Sequence, residues 1–402
     1  MSISLLSLKF LSFAALSVVL VSVLTGAARQ MVFLAANAAF IWYLLGPLGT
    51  LSTVSFCLLG YVLTIMHLRW QRLRIYHTLP VFIALFIYMR NYEMLHWVLP
   101  ESVLTSVLST VGLSFMFFKI IHVLIDAKSN TLRQLEFITY LNYCLNFTTF
   151  MMGPIQRYQD YYDQWHRHKP AIALTFEAHL DAVLRILTGF VKAYLLASWF
   201  YKLALQPDTD VMQLSPADWV IQLYAFFFYL YLNFSGYCDV VIGLGSLLGV
   251  RPPENFNLPF LARNISDFWL RQHRSLTLWL TDYVFSPAYK QALTNNVLSR
   301  HPVLAGNLAL LLTMLVSGIW HGTTIGFLFF GITHGIYLVI YHSWDHLLAA
   351  KLGRKRVNRL RQNWLARLTA ILITFNAAAF AFLFFQLDTP YLLSLLNGVF
   401  RS

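Results

Sequence analysis

Long apolar stretches recur along the whole sequence, and many approach the roughly 20 residues that a helix needs to cross a bilayer core. Segments 4–24, 31–48, 51–68, 78–98, 103–125, 137–153, 180–203, 218–249, 303–320, 324–346 and 368–386, with a short tail at 390–400, read as about ten to twelve membrane segments. Inside lipid the backbone must satisfy its own hydrogen bonds, which favours helices. The water-exposed pieces between these segments are too short to build a substantial core. The expectation is therefore an all-α, polytopic integral membrane protein, with residues 1–402 forming one domain. Within the long 218–249 stretch, a break is expected near Ser235-Gly236, and Gly243 and Gly245 permit close helix approach.

Composition agrees. Of 402 residues, 58% are hydrophobic and 11% charged, where soluble domains carry roughly 25% charged residues. The net charge of +12 comes from 29 Lys and Arg against 17 Asp and Glu. The cations cluster in short inter-helix segments: Arg69–Arg74, Lys119–Arg133, Arg157–Lys169 and, most densely, Lys351–Arg367. That distribution fits membrane orientation and contact with membrane lipids, and no nucleic-acid partner is expected. Cys57, Cys144 and Cys238 stand in apolar contexts without paired spacing, so neither a disulfide framework nor a metal site is expected. The first 24 residues form an apolar run longer than the core of a signal peptide, which favours a retained first helix.

One region departs from this oily background. After Asn264, the residues Asp267, Arg271 and Arg274 recur at helical spacing, while Phe268, Trp269, His273, Leu276 and Trp279 form another face. This predicts an amphipathic or re-entrant helix over 264–285, too polar to cross lipid alone. Ionisable groups at membrane depth are functional candidates by default. His321 in SGIWHG ends an apolar run just before Gly322, and imidazole exchanges a proton near neutral pH. His273 lies on the amphipathic segment, one turn after Trp269. Asp239, with Asn233 nearby, needs a cationic partner, for which Arg263, Arg271 and Arg274 are candidates. His334 in GITHG reads as support. MMGPIQRY, 151–158, reads as a loop entering or leaving the membrane, with Arg157 available for an anionic group. Gly-x-Ser-x-Gly, phosphate-binding-loop, Cys-x-x-Cys and His-Glu-x-x-His patterns do not occur, which argues against a serine hydrolase, an ATP-driven pump and a zinc protease.

FSGYCDVVIGLGSLLG (234–249), PPENFNLPFLARNISDFWLRQHRSLTLWLTDYVF (252–285), SGIWHG with the later THG, and MGPIQRY occur together and in order. This set resembles the membrane-bound O-acyltransferase family, in particular its bacterial polysaccharide branch, which includes alginate O-acetyltransferases and teichoic-acid D-alanyltransferases. The likeness is densest over about residues 230–345. It implies helices around a thin centre penetrated by a tunnel, a catalytic histidine at His321 and a second functional histidine at His273. Asn255, Asn257, Trp269, Arg271 and Trp320 fall within the same motifs as substrate-binding or supporting positions. Two departures concern the acceptor side: Gln272 precedes His273 where alginate-branch relatives often carry Trp, and SPAYKQALTNN follows DYVF where they carry Gly-Gly-x-Arg.

The chemistry implied is acyl transfer from a thioester to a sugar hydroxyl, which needs a base for the hydroxyl proton and stabilisation of the oxyanion. His321 is expected as base, with His273 positioning the acceptor or stabilising charge. The expected donor is acetyl-CoA, with no bound cofactor or metal. A D-alanyl or other acyl carrier-protein thioester is the alternative, and would bring a cytoplasmic carrier protein as partner. A polysaccharide acceptor and an extracytoplasmic esterase-like (SGNH-type) transferase complete the expected partners, with the bacterial cytoplasmic membrane as location. A proton-coupled transporter or flippase is the competing class, and it leaves the Trp-His-Gly element unexplained.

Overall fold

The computed structural model describes residues 7–70, 72–100, 112–167, 175–204 and 215–385; the 390–400 tail and residues 103–111 of one expected span lie outside them. The protein is 82% helical, without strands among the described residues, and is an all-α multi-pass membrane protein. Five helices are long and apolar enough to span a bilayer among the described residues, and two shorter apolar helices, Lys9–Ser22 and Ile75–Met89, accompany them. The chain divides into two units, residues 1–197 with 232–254 and residues 198–231 with 255–402.

Unit one contains α1 (Leu8–Ser22), α2 (Gly26–Arg69), α3 (Ile75–Met89), α4 (Leu113–Lys128), α5 (Phe137–Cys144), α6 (Tyr158–Arg167) and α7 (Phe176–Phe190). The two spans expected over 31–68 are the two parts of α2, which meet at a kink where Gly46 takes the non-helical φ 66°, ψ −175° ahead of Pro47. Proline cannot donate to the helical ladder, and glycine tolerates the positive φ, so the pair interrupts the helix and turns the chain between its two parts. The segment expected at 137–153 is helical only to Cys144, and the chain beyond it is irregular backbone that the interior must satisfy. It does so with buried side chains. Lys119 Nζ donates to Tyr143 O (3.0 Å) and Thr149 Oγ1 (2.9 Å), and Asn37 Oδ1 accepts from Phe147 N (2.9 Å).

The MGPIQRY turn is held in the same way. Tyr143 O–H donates to Gln156 O at 2.7 Å, and His122 Nε2 accepts from Tyr158 N at 3.0 Å. An acceptor at Nε2 places the His122 proton on Nδ1, which donates to Phe118 O at 3.1 Å. The turn is thus locked by a neutral histidine that sequence reasoning passed over.

The expected break near Ser235-Gly236 is absent: α9 (Pro216–Leu248) is one continuous helix, following α8 (Ala197–Leu203) and the π-helical turn Val191–Leu196 that joins α8 to α7. Gly236 serves close approach instead. A Cβ there would lie 2.6 Å from Gly189 O, and one on Gly189 would lie 2.4 Å from Gly236 O, so only glycine allows α7 and α9 to touch.

Unit two carries α10 (Ile265–Arg271), α11 (Arg274–Leu280), α12 (Ser286–Leu293), α13 (Pro302–His321), α14 (Ile325–Leu352), α15 (Arg354–Gln362) and α16 (Trp364–Phe382). Its core gathers Phe227, Phe268, Trp269, Met314, Phe330 and Phe382, with Ala378, Ala379 and Ala381 letting α16 pack closely. The single amphipathic helix expected over 264–285 is two short helices that meet at Gln272-His273.

Candidate active site

Unit two builds its site around that joint. His273 has φ 47° and ψ 50°, a left-handed conformation that costs a side chain with a Cβ roughly 1–2 kcal/mol. Such strain persists only where the surroundings impose it. The PENFN segment imposes it from both sides. Asn255 Oδ1 accepts from Ser275 N (3.1 Å) and Ser275 Oγ (2.8 Å), and Asn255 O accepts from Arg274 N (2.9 Å). On the other flank, Asn257 N donates to Arg271 O (2.9 Å), and Arg271 Nη1 donates to Asn257 O (3.2 Å). Arg271 Nε also donates to Asp267 Oδ1 at 2.8 Å. Asn257 therefore bonds Arg271 on one side of Gln272-His273, and Asn255 bonds Arg274 and Ser275 on the other. Their role is to hold the joint.

His321 reaches the site from the C-terminal end of α13. Its position depends on α14, because a Cβ on Gly318 would lie 2.4 Å from Phe327 O, and one on Gly331 would lie 2.5 Å from Met314 O. These two glycines let the backbones of α13 and α14 meet. The rings of His273 and His321 stand 6.5 Å apart, edge to face, with Trp320 6.0 Å from His273 and 4.8 Å from His321. Phe330 (5.4 Å) and Phe385 (5.0 Å) enclose His321. His273 is buried, whereas His321 keeps partial exposure.

His334 sits behind this pair, fully buried, with its ring 4.6 Å from Phe330 and 5.0 Å from Trp269. Trp269 therefore packs on His334 across the core, since the break at Gln272-His273 ends the helical face it was expected to share with His273. Among the described residues, neither ring nitrogen of His334, nor Trp269 Nε1, nor Ser317 Oγ has a hydrogen-bond partner. Buried polar atoms in native structures are nearly always bonded to protein or water. Ser317 was missed by sequence reasoning, although it lies one helical turn before His321. A cavity of about 590 Å³ opens beside Trp269, walled by Leu280, Leu310, Thr313, Met314 and Leu338.

The remaining candidates, Asp239, Asn233 and Arg157, belong to unit one. Asp239 does not pair with Arg263, Arg271 or Arg274. Its carboxylate accepts from Arg185 Nη2 (3.1 Å) and Lys192 Nζ (2.6 Å), two cations from α7 and the π turn that follows it. The Gly189–Gly236 contact brings these elements against α9, so the nearest cations in space come from a helix 47 and 54 residues earlier in sequence. Arg185 also donates to both oxygens of Glu254 at 2.5 Å, and Arg251 Nη2 donates to Glu254 Oε1 at 2.9 Å. These hydrogen bonds hold the Glu254 carboxyl below the usual carboxylate range. Arg185, Lys192 and Glu254 were not among the sequence candidates. Asn233 is buried on α9, and Arg157 is half-buried just before α6.

Among the described residues, no group of three or more metal-ligating side chains converges. What unit two offers is a pair of facing imidazoles in an aromatic enclosure, with strained backbone under one of them. That arrangement can remove a proton and donate a hydrogen bond to the same reacting centre.

Comparison with known proteins identifies relatives that are acyltransferases. The chain is 29% identical over 293 residues to the teichoic acid D-alanyltransferase of Streptococcus thermophilus, a match covering 70% of this chain and 69% of that protein. It is 33% identical over 242 residues to the probable alginate O-acetylase of Pseudomonas fluorescens, covering 59% of this chain and 46% of the relative. Over 168 residues it is 33% identical to the peptidoglycan O-acetyltransferase of Helicobacter pylori, covering 42% of this chain and 28% of that protein. The model of the MBOAT family matches residues 37–382. The chain is an acyltransferase that belongs to the membrane-bound O-acyltransferase family.

Proposed function

We propose that this enzyme moves an acetyl group from a cytoplasmic thioester, acetyl-CoA, to a hydroxyl of an exported polysaccharide, directly or by way of an extracytoplasmic partner, in the cytoplasmic membrane of a bacterium and as one membrane domain. The observation that carries this reading is the facing of His273 and His321 at 6.5 Å within an aromatic enclosure. His321 takes the proton of the attacking hydroxyl as its oxygen bonds to the thioester carbonyl carbon. His273 stabilises the oxyanion by hydrogen bonding. The C–S bond then breaks, and the thiolate leaving group receives the proton back from His321. No cysteine occurs in residues 255–402, the stretch that carries both histidines, which supports direct transfer over an acyl-cysteine intermediate. A tunnel through the thin centre of the protein would let a cytoplasmic donor meet an acceptor outside, and an extracytoplasmic esterase-like partner would pass the acyl group to the polymer.

A second reading, D-alanyl transfer from a carrier-protein thioester, is favoured by the extent of the match: 69% of the D-alanyltransferase is spanned, against 46% of the alginate acetylase. Membranes containing the enzyme, supplied with polymer and either labelled acetyl-CoA or a labelled D-alanyl carrier protein, separate the two. Label from acetyl-CoA in the polymer is expected. Label from the carrier protein alone would establish the second reading. Movement of polymer with no covalent label from either donor would overturn both in favour of a transporter.

A further inference from the structure

A second cleft in unit two, of about 650 Å³, lies between α14, α15 and α16 and owes nothing to the histidine site. Its walls are apolar, with Ile340, Trp344, Leu360 and Ile373 among them, yet Arg263, Arg361 and Arg367 also line it. The three arginines are in different electrostatic states. Arg361 is committed, donating to Asp345 Oδ1 at 2.5 Å and lying 6.0 Å over the Tyr341 ring. The guanidinium groups of Arg263 and Arg367 have no acidic partner among the described residues. The surrounding segment deepens the imbalance: Lys351–Arg367 holds Lys351, Arg354, Lys355, Arg356, Arg359, Arg361 and Arg367 and no acidic residue.

Dimensions narrow the ligand further. On α16 the lining runs from Arg367 to Ala377, which at 1.5 Å per residue is about 15 Å. That is half of a hydrocarbon core of roughly 30 Å, or one leaflet. Ile340, Trp344 and Ile373 remain 60%, 59% and 64% exposed at the cleft, which suits contact with lipid chains and not with water. The basic end is formed by α15, an amphipathic helix linking two candidate spans, and so belongs at the membrane interface. A trough whose α16 wall is one leaflet deep, largely apolar and lined by three arginines, one of them on the interfacial helix α15, matches a single amphiphile with an anionic head.

We propose that this cleft binds an anionic phospholipid, its acyl chain along Ile340, Ile373 and Ala377 and its phosphate against Arg263 and Arg367. A charge-assisted bond from guanidinium to phosphate is stronger than a neutral one and frequently bidentate, which gives the site a preference for anionic over zwitterionic lipid.

The test is native mass spectrometry of the purified full chain titrated with phosphatidylglycerol or with phosphatidylcholine of the same acyl chains. Phosphatidylglycerol should bind with at least tenfold higher affinity, and the double variant Arg263→Ala/Arg367→Ala should lose that preference. The double variant Arg356→Ala/Arg359→Ala, which removes equal charge outside the cleft, should retain it. Ala370→Trp, which fills the trough and keeps every arginine, should weaken binding of both lipids, and decides the question should the arginine variant fail to fold. Equal affinity for the two lipids, equal loss on removing the outside arginines, or unaltered binding to Ala370→Trp would each overturn the proposal. So would displacement of the lipid by millimolar inorganic phosphate, or retention of a second copy of the chain in place of lipid.

Discussion

Gly331 offers the sharpest mechanical perturbation of the site without touching either reactive ring. A Cβ built there lies 2.5 Å from Met314 O and 3.1 Å from Gly318 Cα, while ordinary contact begins at 3.4 Å. Gly331→Ala therefore forces α13 and α14 apart by about 0.9 Å, against backbone atoms that have no rotamer to yield. Overpacking of this kind destabilises by about 1–3 kcal/mol, offset by up to about 1 kcal/mol because alanine is the better helix former. Since His321 ends α13, the same displacement moves the base against His273, and a misplacement of about 1 Å can cost a factor of about 10² in rate. Gly335, one turn later, is the internal control: its Cβ would meet the flexible Leu311 Cδ2 at 3.1 Å. In detergent-purified protein, steady-state acyl transfer and thermal unfolding of both variants should separate them. Gly331→Ala is expected to lose most of its kcat with a modest fall in Tm, and Gly335→Ala to remain near wild type in both. Full activity and an unchanged Tm in Gly331→Ala would refute the claim that the glycine contact positions His321.

Three further outcomes are expected. Asn255→Ala removes the acceptor for Ser275 N and Ser275 Oγ, leaving buried donors that cost about 1–3 kcal/mol; kcat and Tm should fall together, and an unaffected kcat would mean that the His273 conformation does not depend on this clamp. Asp239→Ala leaves Arg185 and Lys192 facing one another without their shared carboxylate, and should lower Tm more than Lys192→Ala does; equal values from differential scanning fluorimetry would show that the pairing is not used. Because Arg185 holds the Glu254 carboxyl below its unfolded value, this group contributes stability above the unfolded pKa, near 4.3, and loses it as pH falls through the lower folded value. Wild type should therefore lose Tm faster than Glu254→Gln below about pH 4.3, and parallel pH profiles would contradict the assignment.

Much of this was legible in the sequence, for identifiable physical reasons. Helix type and membrane character follow from local apolar content, which no tertiary contact overrides. The family resemblance brought in Asn255 and Asn257 as substrate-binding or supporting positions, and both bond to residues beside Gln272-His273. What sequence could not supply was the backbone break at Gln272-His273, because the helical period of 264–285 continues across it and only the clamps from the PENFN segment impose the turn. Asp239's partners were misassigned for the same kind of reason. Arg263, Arg271 and Arg274 are nearer in sequence, but the Gly189–Gly236 contact decides which cations are near in space. Gly236 itself was read as a breaker, since a glycine that ends a helix and one that admits a neighbouring helix look alike until the neighbour is known. His122 was missed because no motif carries it, and Ser317 was missed inside SGIWHG because attention fell on the titratable histidine; its position one turn before His321 was the available signal.

The central claim is that His321 is the base for acyl transfer, and the direct measurement is single-turnover transfer of labelled acyl group by purified His321→Ala protein alongside its Tm. Positioned proton transfer contributes a factor of about 10² to 10⁴, so the variant should fall by that factor while unfolding at the wild-type temperature. Turnover within a few-fold of wild type, in folded protein, would contradict the account.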